Sequence, residues 1–200
     1  MDFTHVLVLM SLGISFVGMS LYIRDMLRGT TKPNLISYAM WASAPLVGAA
    51  AALFAGADWW GTARIVMSGL VPAIVLCTAL CLPQAYWKLS AFDFICGVFS
   101  LLALGVWLIA GSPTYAVLIA AIGDAAATFP TLRKAWFHPE TETGMTYVLG
   151  FIAALIVFPA IPEFTIVNAS FQIYLLSANC ALLLVVYRKK IFKRFLTAEV

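Results

Sequence analysis

Of 200 residues, 63% are hydrophobic and only 10% are charged, with a mean hydropathy of +0.98. Soluble domains average about 45–50% apolar and about 25% charged residues, so composition excludes that class. The net charge of +3 does not mark a nucleic-acid binder, because the basic residues fall in short breaks and in the tail. The expected partner is the lipid bilayer.

The apolar residues come in blocks of about 20, long enough to cross a hydrocarbon core of about 30 Å. The first block opens with MDFTHVLVLM and runs to Ile23 without a basic leader, which fits a span better than a cleaved signal. Apolar runs between turn-forming breaks predict seven spans, at 3–24, 34–56, 62–86, 91–110, 113–136, 144–162 and 164–187. The expected fold class is therefore an all-α polytopic membrane protein with seven transmembrane helices.

Basic residues set the expected orientation. Eleven of the 12 Lys and Arg residues follow the first, third, fifth and seventh spans, and only Arg64 falls on the other side. Basic residues mark the cytoplasmic face, so the N-terminus is placed outside and the C-terminus inside. The localisation expected is a plasma membrane, the inner membrane in a bacterium.

In chain order, the second span carries Tyr38, Trp41 and Pro45, an aromatic pair and a helix-kinking proline. The third carries Arg64, read as snorkelling beside Asp58, with Pro72 and two of the four cysteines, Cys77 and Cys81. All four cysteines (Cys77, Cys81, Cys96 and Cys180) lie in apolar blocks, and Cys77 and Cys81 share a helical face without a nearby His or acid, so the expectation is packing and no metal site. Asp93 opens the fourth span behind Ser90, as an N-terminal acid beside its cap. Trp59, Trp60, Trp87, Trp107 and Trp136 sit at span ends as interfacial anchors.

The fifth span holds the most informative residue. Asp124 lies 11 residues beyond Pro113, roughly 17 Å along a helix and so near mid-membrane. A charge there costs at least about 2.5–3.5 kcal/mol, and intramembrane acids mark function by default. Asp124 is read as a substrate-binding or coupling carboxylate, against a structural hydrogen-bonding role. Pro130, together with Pro45, Pro72 and Pro159, supplies candidate hinges. In the seventh span Asn168, Gln172 and Asn179 share roughly one helical face beside Tyr174, as a cavity wall or as interhelical hydrogen bonds.

A shift of 109 residues places Arg24 on Arg133, Ser37 on Thr146 and Tyr38 on Tyr147. It also aligns the loop RDMLRGTTKPNLISY with RKAWFHPETETGMTY. The spans then divide as two parallel repeats around a connector. The first triple-helix bundle is 1–86, the linker helix 87–112, the second bundle 113–190 and a basic cytoplasmic tail 191–200.

Seven spans divided three-one-three with the N-terminus outside resemble the SWEET and PQ-loop superfamily of transporters. FPTLRKAWFHPETETGMTY (129–147) is similar to a PQ-loop segment, with Pro130-Thr131 at the Pro-Gln position. TIVNASFQIYLLSANCALLLVVYR (165–188) is similar to the last SWEET helix, with Asn168 where that family places a substrate-binding asparagine. The first triad has Leu21-Tyr22 in place of a proline, and the literal Pro83-Gln84 ends the third span. The repeat partner of Asn168 is Trp59. The sixth span lacks the family's tryptophan, so Trp41 takes that role.

The resemblance implies a solute transporter working by alternating access, with sugars as the family-led substrate. Asp124 suits a vitamin or amino-acid-like solute better, and allows proton coupling. The competing class is a non-transporting receptor of KDEL-receptor type, its tail YRKKIFKR (187–194) docking a partner or anionic lipid. No Ser/His/Asp set, metal cluster or phosphate loop points to an enzyme, and no cofactor is implied. A homo-oligomer is compatible with the sequence.

Overall fold

Long apolar runs interrupted by Gly, Pro and polar loops satisfy their backbone groups most simply as helices. The computed structural model describes residues 2–54, 59–82, 86–109, 113–161 and 163–196. It gives backbone alone at 51, 52, 54, 59–62, 64, 107, 108, 113, 114, 116, 117, 167, 168 and 192–196. Among these residues there are seven α-helices and no strand. They are α1 (Phe3–Leu27), α2 (Leu35–Phe54), α3 (Trp59–Cys81), α4 (Ala91–Ile109), α5 (Pro113–Phe137), α6 (Gly144–Val157) and α7 (Ile166–Leu196).

Helix ends follow local chemistry. At the end of α1 the chain reverses at Gly29, with φ +74°. Gly29 N–H donates to Met26 O (2.9 Å) and Thr30 N–H to Asp25 O (3.0 Å), a complete Schellman stop. Ser90 caps α4, its backbone N–H and hydroxyl donating to Asp93 Oδ2 at 2.6 and 2.7 Å. Pro159 lies in a 3-10 turn, Phe158–Ala160, that ends α6. It is therefore a terminator and not the mid-helix kink expected from sequence, since its missing N–H stops the α-helical ladder at Val157.

Helix α3 stops at Cys81, short of the expected residue 86, and Pro83-Gln84 lie outside the described residues. Helix α7 runs unbroken to Leu196, so the basic stretch expected as a separate tail continues the last helix. Arg188 anchors that extension by donating to Ala135 O and Trp136 O of α5.

The packing forms a ring. Helix α1 meets α3 and α3 meets α2; α5 meets α7 and α7 meets α6. The ring closes where α1 packs on α6 and α2 on α5. Exchanging α1, α2 and α3 for α5, α6 and α7 maps this pattern onto itself. Helix α4 stands outside, against α5 and α2. Helix α3 packs closely on α2 at Gly69. A Cβ there would lie 2.7 Å from Leu46 Cγ and 2.9 Å from Ala42 O on α2.

The outer surface is apolar. On α4, Phe94, Ile95, Phe99 and Leu102 are each more than half exposed. Cys77 and Cys81, expected in packing contacts, are exposed instead. Two stretches, Phe3–Leu27 and Ala169–Ile191, are long and apolar enough to cross a membrane. Four shorter apolar stretches lie in α2, α3, α4 and α6 with its following turn.

Candidate functional site

The ring encloses a cavity of about 200 Å³ lined by residues from all six ring helices and none from α4. Helix α1 contributes Ser15, α2 contributes Trp41 and Pro45, α3 Pro72, α5 Asp124 and Thr128, α6 Gly150, and α7 Tyr174 and Asn179. Asp124 is 6% exposed. Among the described residues, it is the one acidic or basic side chain lining the cavity. Among the described residues, no Lys, Arg or His forms an ion pair with it.

Hydrogen bonds fix the wall beside it. The Thr128 hydroxyl lies 2.9 Å from Asp124 O, one turn back on α5. It also lies 2.9 Å from the Tyr174 hydroxyl of α7. Trp41 Nε1 donates to the same hydroxyl across the α2–α5 contact at 3.2 Å. The Tyr174 hydroxyl lies beside the Asp124 carboxyl group. Trp41 packs edge-on against Tyr38, with centroids 5.2 Å apart. The site thus combines one carboxylate, a hydroxyl pair and an aromatic wall.

At one end the cavity is floored by Tyr38 and Tyr147. Behind them lies a buried polar cluster that sequence reading missed. Lys134 of α5 and Glu142 of the following loop form an ion pair with side chains 1% and 0% exposed. Glu142 Oε2 also accepts from Tyr147 (2.7 Å) and from Tyr22 of α1 (3.2 Å). Lys134 Nζ donates to Lys32 O in the loop after α1 and lies over the Trp87 ring.

The two repeat loops are stitched together beside this pair. Thr143 Oγ1 donates to Asp25 Oδ2 at 3.1 Å, so its single proton is used. The Thr31 hydroxyl, 2.7 Å away, therefore donates to Thr143. Lys32 N–H donates to Thr141 O (3.0 Å), and Asn34 Nδ2 to Asp93 Oδ1 of α4 (3.0 Å). Two fully buried hydroxyls here, Ser37 and Thr131, have no hydrogen-bond partner among the described residues. Outside the helices, the exposed Glu140 carboxyl is held below the usual glutamate range by its own backbone N–H and by His138.

The sequence candidates divide clearly. Asp124, Trp41, Tyr38, Asn179, Pro45 and Pro72 line the cavity. Gln172 does not; it is buried and donates to Ala154 O of α6, tying two helices together. Asn179 Nδ2 donates to Leu175 O of its own helix at 2.8 Å. Pro130 is fully buried in α5, two residues past Thr128. The side chains of Asn168, Arg64, Trp59, Trp60 and Trp107 lie outside the described set, as does Asp58. Lys134, counted in sequence among the basic residues that follow the fifth span, is buried and paired, because Glu142 folds back beneath it.

No protein-family model, curated protein or solved structure matches this chain.

Proposed function

We propose that this protein is a seven-span membrane carrier of a small polar solute, working by alternating access in the manner of the SWEET-like architecture it resembles. The observation that carries the reading is a lone carboxylate in a cavity lined by every helix of a six-helix ring. A soluble core has no use for an unneutralised acid among apolar helices, and the exposed aromatic face of α4 suits lipid. The solute sits between the two triads, against Asp124, Thr128 and Trp41.

The Lys134–Glu142 cluster is the closed gate at the basic, cytoplasmic end. It joins the loops of both triads, so opening that end means separating Tyr22, Lys32 and Thr31 from Glu142, Lys134 and Thr143. The unpartnered hydroxyls of Ser37 and Thr131 each cost about 1–3 kcal/mol in this arrangement, which favours a second arrangement that satisfies them. Pro45, Pro72 and Pro130 interrupt the backbone ladders of α2, α3 and α5 near the cavity, where a rocking helix needs compliance.

The test is uptake into liposomes of a labelled panel of sugars, vitamins, amino acids and amines. The expected result is saturable uptake of at least one class, reduced about tenfold or more by Asp124→Asn, equivalent to ~1.4 kcal/mol. Binding without uptake across the panel would favour the receptor reading instead.

A further inference from the structure

From the charge balance of the cavity, we infer that its occupant is a small organic monocation without an acidic group, an amine or quaternary ammonium. This rests on the cavity being the solute site, and not on the solute being carried across.

Among the described residues, the lining has one formal charge, the Asp124 carboxylate, and no basic side chain. The nearest buried cation on the same helix, Lys134, is ten residues further on, about 15 Å along the axis, and is held by Glu142. None of the described side chains supplies a countercharge, so an ionised, buried Asp124 gains most when the ligand brings one. A zwitterion or acid would bring a carboxylate with no cation to meet it.

The walls match the same chemistry. Tyr38, Trp41, Phe171 and Tyr174 line the cavity with aromatic side chains. Such surfaces attract a soft, weakly hydrated cation through the ring quadrupole. A polyol needs many donors, and the two described amides of α7 each already donate to a protein carbonyl. Asn179 Nδ2 is turned to its own helix and Gln172 to α6. The cavity volume of about 200 Å³ suits a compact molecule.

The experiment is calorimetric titration of the purified full chain in detergent with four probes. Choline and ethanolamine are cations. 3,3-Dimethylbutan-1-ol is the neutral carbon isostere of choline, and glycine betaine carries the same trimethylammonium group with a carboxylate. At least one cation is expected to bind, and to do so roughly tenfold to a hundredfold more tightly than both the neutral isostere and the zwitterion. Asp124→Asn is expected to abolish that preference and Asp124→Glu to keep part of it, with thermal melting used to show that each variant is folded. Equal binding of the neutral isostere or of betaine, or no binding of either cation, would overturn the inference. Uptake of a neutral solute in liposomes would then still support the carrier reading.

Discussion

At the scale of single residues, a buried ion pair and the cavity carboxylate Asp124 set the chemistry, and they are handled in opposite ways. Lys134 and Glu142 are both buried and satisfy each other, with two tyrosine hydroxyls completing the carboxylate's shell. Removing one partner of such a pair leaves an uncompensated charge, at a cost of about 3–5 kcal/mol. Glu142→Gln is accordingly expected to lower thermal stability sharply in detergent. The double variant Glu142→Gln/Lys134→Met is expected to lose less than the two single variants together, with a coupling of about 1–3 kcal/mol. Strict additivity in the melts would show that the pair does not act as a unit. Asp124 was legible in sequence because a carboxylate in an apolar run violates the local pattern. Glu142 was not, because HPETETG has the composition of an ordinary polar loop, and the 109-residue register sets Glu142 against Pro33. Only the fold carries that loop under α1, where Tyr22 and Lys134 meet it.

At the scale of helices, small residues decide how closely the ring can draw in. Gly69→Val forces atoms into Leu46 and the Ala42 carbonyl on α2, and is expected to destabilise by about 1–3 kcal/mol. Gly13→Ala in α1 is the contrasting case, since nothing lies within 4 Å of its new Cβ. It is expected to stabilise by up to about 1 kcal/mol through helix propensity alone. Thermal melts of the two variants check both signs, and similar losses from each would mean that α2–α3 packing is not the constraint. Helix count and approximate positions were readable from apolar runs and turn residues. Ends were less so: Pro159 reads as a kink until its 3-10 turn is seen. The charges after Tyr187 read as a tail until Arg188 is found bound to the carbonyls ending α5. The cavity wall of α7 was half legible. Spacing places Gln172 and Asn179 near one face, but α6 packs on that edge and takes Gln172 out of the cavity.

At the scale of the whole molecule, the exchange of the two triads leaves the contact pattern unchanged while the chemistry of the two halves differs. Tyr38 and Tyr147 keep their symmetric positions at the cavity floor, yet Asp124 is matched by Ser15 and Lys134 by Asp25. The scaffold is thus shared and the charge is not, which concentrates recognition on one side of the cavity. On the carrier reading, this arrangement is closed at the basic end by contacts that cross between triads, and those contacts must break for a solute to leave. The central claim is that one cavity is reached in turn from both faces. It is tested most directly with Asn179→Cys, in a chain whose four native cysteines are replaced, reconstituted in liposomes of known orientation. A membrane-impermeant thiol reagent is added to one face and then to the other. The expected result is modification from either face, slowed from the basic face when the Thr31→Cys/Thr143→Cys pair is oxidised to a disulfide. Modification from one face alone, whatever the state of that disulfide, would contradict alternating access and leave a one-sided binding pocket.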